Sequence, residues 1–347
     1  MSVSYRLLSD LNRSKPIELK YENTKDSMMK SLKSLTILLL LSASTVIHAE
    51  QTPSVHQVDG YFLQPVGNLK VTALFDGELG LPRSDLLGIS AEKANRLFAE
   101  NFVPVDEHNQ IVTDFSAYLV QTPTQNILID AGTAKCFGPT LGHVRENLKN
   151  AGVQPEQIDT ILITHAHPDH LCGITLDGKM AYPNAKVYLA KEDVDFWTSP
   201  ANEAKATDFF KPIFKMTRDA LQPYQKAGQL VAFTKTSFNV PNVQLIVTHG
   251  HTEGHSSYLV DGHNGQKFLG LGDVVHYGAV QFPYPDASYK PDTDSNRAIA
   301  VRKNIFEQAY KSQWWVGAAH VAFPGIGHIS KDSKGYQWIP AQYRPTK

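Results

Sequence analysis

The heptapeptide THAHPDH, Thr164 to His170, places three histidines and one aspartate directly behind the apolar run Ile161-Leu162-Ile163. If that run is a buried strand, the ionisable side chains that follow are carried to the end of a sheet, where leaving them unpaired costs several kcal/mol each. A metal ion resolves the conflict, because imidazole and carboxylate together suit zinc and the other first-row divalent ions. His165 and His167, two apart on extended backbone, point to one side, and Pro168 breaks the strand so that Asp169 and His170 can turn onto a second centre. One short segment can then serve two ions, which about 3.5–4 Å apart form a clamp for hydrolysis. A solvated histidine-rich loop explains the composition of the segment but not its place behind a buried strand.

The rest of the described pattern alternates short apolar runs with longer helical ones. Strands are expected at Leu69–Gly77, Ser116–Thr122, Gln125–Gly132, Thr160–His165, Ala185–Ala190, Val243–His249, Ser256–Gly262, Gln266–Asp273 and Trp314–His320. Helices are expected at Ser90–Glu100, Thr140–Gly152, Lys191–Trp197, Thr207–Ala227 and Ser295–Lys311. No repeat or linker interrupts this alternation, which favours one layered α/β domain over residues 50–347. Four of the strands, TILITH, VQLIVTHGH, FLGLGD and WWVGAAH, run straight into histidine or aspartate. Ligands on strand ends stand on rigid supports, as a metal site needs.

Residues 1–49 read as an N-terminal extension and signal peptide. Lys30 and Lys33 precede an apolar stretch from Leu35 to Ile47, and Ile47-His48-Ala49 offers a cleavage site before Glu50. The stretch is short of the roughly 20 residues that span a bilayer, so the expectation is a periplasmic or secreted protein without a stable membrane anchor after processing. Met28-Met29 is a plausible alternative start. A formal net charge of -1 with no run of like charges excludes the electrostatic footprint of nucleic acid and leaves a small molecule as the expected partner. The two cysteines, Cys136 and Cys172, are too few for a disulfide framework, and Cys172 reads as a small buried residue.

The H-x-H-x-D-H pattern resembles that of the metallo-β-lactamase superfamily, which implies an α/β fold, a four-layer αβ/βα sandwich with two metals between the sheet edges. The segments FGPTLGHVRENLKNAG, PEQIDTILITHAHPDH, DFW, KFLGLGD and AVQF are similar to the methyl parathion hydrolases of that superfamily, across roughly residues 61–343. The resemblance implies that His165, His167 and His255 hold one ion, that Asp169, His170 and His320 hold the other, and that Asp273 bridges them. It also implies a homodimer. Glu253 stands where the family's GHTPGH turn has proline, which puts the shape of that turn in doubt. His251 is read as orienting the turn or a ligand from behind. Asp130 either steadies a ligand or closes a strand-ending turn, and His276 and His328 stay unassigned.

By the same similarity, Phe137, Trp197 and Phe209 form an aromatic cluster over the metals and bind the substrate; as ordinary core aromatics they would not. Two divalent ions, most simply zinc, with manganese, iron or cobalt equally suited to these ligands, activate a water between them near neutral pH. Asp169 or Asp273 then accepts the proton. The expected activity is hydrolysis of organophosphate triesters or related aryl esters, with N-acyl-homoserine lactones or other lactones as the alternative. An exported metal-binding protein without catalysis is the alternative of another class. A β-lactamase is disfavoured because members with that activity generally lack the bridging aspartate that Asp273 supplies.

Overall fold

Alternation along the strands decides the layering. In the strand Asn126–Ile129, Leu128 enters one core while Ile127 and Ile129 enter another, and the same split separates Leu119 from Tyr118 and Val120, and Ile161 from Leu162. A sheet apolar on both faces must be covered on both. In the computed structural model, which describes residues 57–345, a seven-stranded sheet meets this demand. Its order is Tyr61–Val66, Leu69–Leu81, Ile111–Gln121, Asn126–Ile129, Thr160–Leu162, Lys186–Ala190 and Leu230–Phe233. The first four strands form an antiparallel meander, and from Asn126–Ile129 onward the pairing is parallel. The expected extension and signal peptide lie outside the described residues.

The helices Val144–Asn150 and Lys211–Ala227 cover the outer face, contributing Val144, Leu148, Phe214 and Leu221. The inner face packs on a second sheet of six strands, ordered Val243–Val247, Ser256–Asp261, Lys267–Gly270, Trp315–Gly317, Ile326–Asp332 and Gly335–Pro340. Tyr258, Val260 and Phe268 of that sheet face inward, while Leu259 and Leu269 face out against Ile305, Phe306 and Ala309 of the helix Ser295–Ser312. Layers therefore run helix, sheet, sheet, helix, the four-layer αβ/βα sandwich that the resemblance implied. Each large side chain so buried is worth about 1.5–3 kcal/mol, which lets these short strands hold their register.

The departures from expectation have local causes. Ile111–Gln121 is longer than expected, because polar Thr113 and Asp114 hide the far end of its antiparallel pairing with Leu69–Leu81, which carries a bulge between Phe75 and Gly77. The hairpin of Ile326–Asp332 and Gly335–Pro340 was not expected, since its exposed side chains obscure the alternation. The two cysteines are joined rather than free: Cys136 and Cys172 form a disulfide across a separation of 36 residues. Cys172 is buried as expected, and the pairing that was not expected arises because the loop after Asn126–Ile129 folds back onto the segment behind the histidine motif.

Candidate metal centre

The chain leaves the seven-stranded sheet where Asp130 captures Thr164. The carboxylate accepts the Thr164 N–H at 2.8 Å and its hydroxyl at 2.9 Å, ending the strand Thr160–Leu162 before the motif begins. His167 keeps extended backbone, and Pro168 opens a one-turn helix, Pro168–Leu171, where its missing N–H costs nothing. The proline thus starts the helix that carries Asp169 and His170, and the His170 ring comes to lie 4.2 Å from that of His165. Two bonds from the second sheet close over this end: Ser256 N–H to the Thr164 carbonyl at 2.8 Å and the Tyr258 hydroxyl to the Ile163 carbonyl at 2.7 Å.

Two groups of donor atoms converge there, each with all its atoms within 4.8 Å of one another: His165, His167, His251 and Asp273, and Asp169, His170, Asp273 and His320. Asp273 belongs to both. In the first group, Oδ2 of Asp273 lies 3.5 Å from His165 Nε2 and 3.4 Å from His251 Nε2, and His251 Nε2 lies 3.0 Å from His167 Nδ1. In the second, His170 Nε2 lies 3.0 Å from both Asp169 Oδ2 and Asp273 Oδ1, and His320 Nε2 lies 3.4 and 3.2 Å from the same oxygens. A tetrahedral shell of nitrogen and oxygen at about 2.0–2.1 Å has edges of roughly 3.3–3.4 Å, so both groups have the size that a cation such as zinc requires. Nε2 of His165 and His170 and Oδ1 of Asp273 are buried without a hydrogen-bond partner. Buried donors and acceptors of this kind, without protein partners, are what a cation would satisfy.

His251 stands where the sequence reading placed His255, and the hydrogen bonds give the reason. His255 has both ring nitrogens engaged by protein: Nε2 accepts the Asp273 N–H at 2.9 Å, and Nδ1 faces the Thr248 hydroxyl at 2.8 Å. It positions the Asp273 backbone instead of offering a lone pair to an ion. Gly272 makes this approach possible, since at its φ of +63° a Cβ would lie 2.7 Å from His255 Nε2. His251 is aimed by Asp292, whose Oδ1 receives Nδ1–H at 2.9 Å. Asp130 does the same for His170 at 2.9 Å, which assigns the ligand-steadying alternative to it.

The two groups differ in their fields. His165 and His167 are pushed well below the usual histidine range, by burial first and by neighbouring imidazoles second. Burial also lowers His170 and His320, yet Asp273 and Asp169 outweigh it, holding His170 well above the normal range and raising His320 to about 9. Burial opposes the charge of Asp273 as well, but His170 and His320 keep it well below the carboxylate range. His276, left open by the sequence, belongs here: Nε2 donates to Asp273 Oδ2 at 3.0 Å, its ring stacks on His320, and burial pushes it down to about 4. His328 instead packs its ring on Trp315, 4.0 Å away.

The expected aromatic cluster is not assembled. Trp197 is buried with its ring 5.4 Å from His167, but Phe209 is 69% exposed and stacks on Phe210, away from the donors. Phe137 packs in a separate core with Phe115, whose ring lies 4.5 Å from that of His320. Phe209 falls at the exposed start of a helix whose buried stripe runs through Phe214, Thr217 and Leu221, a phase the sequence did not resolve. Cavities flank both sides, one of about 740 Å³ reaching His276 and His320 and one of about 420 Å³ beside Trp197 and Glu253.

Comparison with known proteins places this arrangement. A family model described as the metallo-beta-lactamase superfamily matches residues 115–308. A hydroxyacylglutathione hydrolase of Francisella tularensis subsp. novicida (strain U112) is 33% identical over 126 residues, 36% of this chain and 36% of that protein. Another, from Albidiferax ferrireducens (strain ATCC BAA-621 / DSM 15236 / T118), is 28% identical over 163 residues, 47% of this chain and 48% of that protein. The chain thus spans less than half the length of these curated relatives. A solved structure described as the hydrolase AbOPH in the beta lactamase superfamily is 35% identical with a TM-score of 0.79, covering 84% of this chain and 100% of that one. The dizinc quorum-quenching lactonase AidC, at 23% identity, TM-score 0.73 and coverage of 82% and 99%, shares the fold.

Proposed function

Because the chain belongs to the metallo-β-lactamase superfamily, we propose that it is a dinuclear metal-dependent hydrolase of organophosphate triesters and related aryl esters, close in kind to the methyl parathion hydrolases. The observation that carries this reading is the pair of donor groups sharing Asp273, with buried nitrogens that no protein atom satisfies. His165, His167 and His251 would hold one ion, Asp169, His170 and His320 the other, with Asp273 between them. Divalent ions held by these residues would supply Lewis acidity and an activated water near neutral pH.

The chain's own residues do the rest. Asp130 and Asp292 fix the tautomers of His170 and His251 through their Nδ1–H groups, and His255 holds the Asp273 backbone. Asp169, whose side chain is 12% exposed where that of Asp273 is 2%, is the carboxylate open to accept the proton released on attack. Trp197 and Phe115 wall the His167 and His320 sides with aromatic surface, which suits an aryl leaving group. Such a leaving group departs without protonation, so the site needs no separate general acid. The same walls admit the acyl chain of a lactone, the second reading. Export to the periplasm or beyond is supported by the Cys136–Cys172 disulfide, a bond that persists in oxidising compartments.

A rate panel on metal-replete protein tests the reading, using an aryl phosphotriester, an aryl ester, an acyl-homoserine lactone, a glutathione thioester and a β-lactam. The phosphotriester and aryl ester should give the highest kcat/KM. A preference of tenfold or more for the lactone or thioester would replace the substrate class, and no turnover by protein carrying two ions would leave a metal-binding protein without catalysis.

A further inference from the structure

Asp193, in the first turn of the helix Lys191–Trp197, is completely buried and belongs to neither donor group. Its carboxylate accepts three hydrogen bonds from two different loops. Oδ2 takes the Ala166 N–H at 2.8 Å and the Thr252 hydroxyl at 2.9 Å, and Oδ1 takes the Gly254 N–H at 2.7 Å. Ala166 lies between His165 and His167, and Thr252 and Gly254 form the turn that begins at His251. One carboxylate therefore ties the loop bearing two donors of the first group to the loop bearing the third.

The approach is close enough to constrain the sequence. A Cβ on Gly254 would lie 2.7 Å from the Asp193 nitrogen and 2.9 Å from its Oδ1. Glycine at 254 lets the turn press onto the carboxylate, and the clasp leaves His167 Nδ1 and His251 Nε2 facing each other at 3.0 Å. The second donor group is tied differently, through Asp130 to His170 and through the Asp114 carbonyl to His320. Neither residue hydrogen-bonds Ala166 or the 251–255 turn among the described residues, and Asp130 reaches the first group only through Thr164, whose hydroxyl lies 3.1 Å from His165 Nδ1.

We propose that Asp193 is the positioning residue that sets the spacing of His165, His167 and His251 and so governs the affinity of that ion and not of the other. Asp130, which aims His170, acts chiefly on the Asp169–His170–His320 ion and reaches the first group only through Thr164. The proposal rests on the reading that the two groups hold metal. All of its contacts are donors, so an amide at this position must turn an N–H₂ toward an N–H or give up a bond. The effect on the ion is indirect, and losses from partners behind a ligand run to about 10–100-fold in metal affinity.

The test is metal stoichiometry and competitive chelator titration on wild type, Asp193→Asn, Thr252→Val and Asp130→Asn, with cobalt absorption read as each ion is withdrawn. Wild type should bind two ions. Asp193→Asn should weaken one of them by roughly 10–100-fold and leave the other within about twofold. Asp130→Asn should weaken the other ion, and the two variants should remove different cobalt bands. Thr252→Val, which deletes one bond of three and keeps the carboxylate, should weaken the same ion as Asp193→Asn by a few-fold, and it carries the test if Asp193→Asn fails to fold. Equal weakening of both ions, or no weakening in a folded variant, would overturn the clasp. Wild type that binds no ion would instead overturn the metal reading beneath it.

Discussion

The two halves of the centre are built in opposite ways. The first sheet delivers His165, His167, Asp169 and His170 from one continuous stretch, so chain connectivity already brings them together. The second sheet delivers His251, Asp273 and His320 from three separate strand ends, and each needs an anchor of its own. Asp292 aims His251, His255 holds the Asp273 backbone, and the Asp114 carbonyl lies 3.3 Å from His320 Nδ1. Buried Arg302 adds a further brace, its Nε donating to the Val274 carbonyl at 2.6 Å just beyond Asp273. The continuous half is braced from outside, by the disulfide from Cys172 to Cys136 and by the Ala131 N–H on the His170 carbonyl at 2.8 Å. Contiguity is thus worth several anchors, and a ligand set scattered over strand ends must be paid for in buried polar partners.

Five substitutions should break or sharpen this contrast. Asp273→Ala removes the atom pair common to both donor groups, so both ions should leave and kcat/KM fall by roughly 10³-fold or more. Elemental analysis with kinetics checks it, and a variant that keeps two ions would show that the halves do not depend on their shared carboxylate. His251→Ala and His255→Gln form the next pair. The first should weaken metal binding by about 100-fold or more, and the second, which only loosens the Asp273 backbone, by about 10-fold. The reverse order in chelator titrations would return the ligand role to His255.

Cys172→Ser tests the outer brace of the continuous half. Opening a loop across 36 residues should cost about 2–4 kcal/mol of stability, measured by urea unfolding of metal-replete protein. A loss below about 1 kcal/mol would mean that connectivity suffices unaided. The smallest effect concerns the exposed flank of the second half, where Glu307 accepts bonds from Lys331 and Tyr336 and pairs with Lys311, holding its carboxyl down to about 2. A folded pKa below the unfolded value means that the stabilisation is complete above about pH 4.5 and fades as pH falls toward 2. Melting temperatures of Glu307→Gln should therefore sit slightly below wild type at pH 7 and converge with it near pH 2. Parallel curves across that range would remove the ion cluster from the account.

Legibility in the sequence followed the same division. THAHPDH could be read because its donors share one segment and one backbone direction, and the two-sided apolar strands gave the layers. His251 could not be told from His255, since both lie close to strand ends and the choice is made by Thr248 and the Asp273 N–H, the latter supplied by a remote strand. Asp193 and Asp292 carry no local signal, because what they hold lies 27 to 61 residues away in one case and 41 in the other. Phe209 was misplaced for a different reason: a helix start gives the aromatic pair Phe209-Phe210 no phase, and the buried stripe begins beyond it. The disulfide was hidden by a loop reversal that two cysteines alone cannot announce.

Lys267–Gly270 and Trp315–Gly317 form the one parallel pair in the six-stranded sheet, and so Asp273 and His320 emerge at the same end although the segment 274–319 separates them. That intervening segment wraps outside, carrying the helix Ser295–Ser312 and the loop before it. It also carries Asp292, which aims His251, and Arg302, whose guanidinium braces the Val274 carbonyl, so the crossover itself reaches back to the donors. Strand direction thus decides where Asp273 and His320 emerge, while the crossover between them supplies the buried partners Asp292 and Arg302 and the His276 that borders the neighbouring cavity.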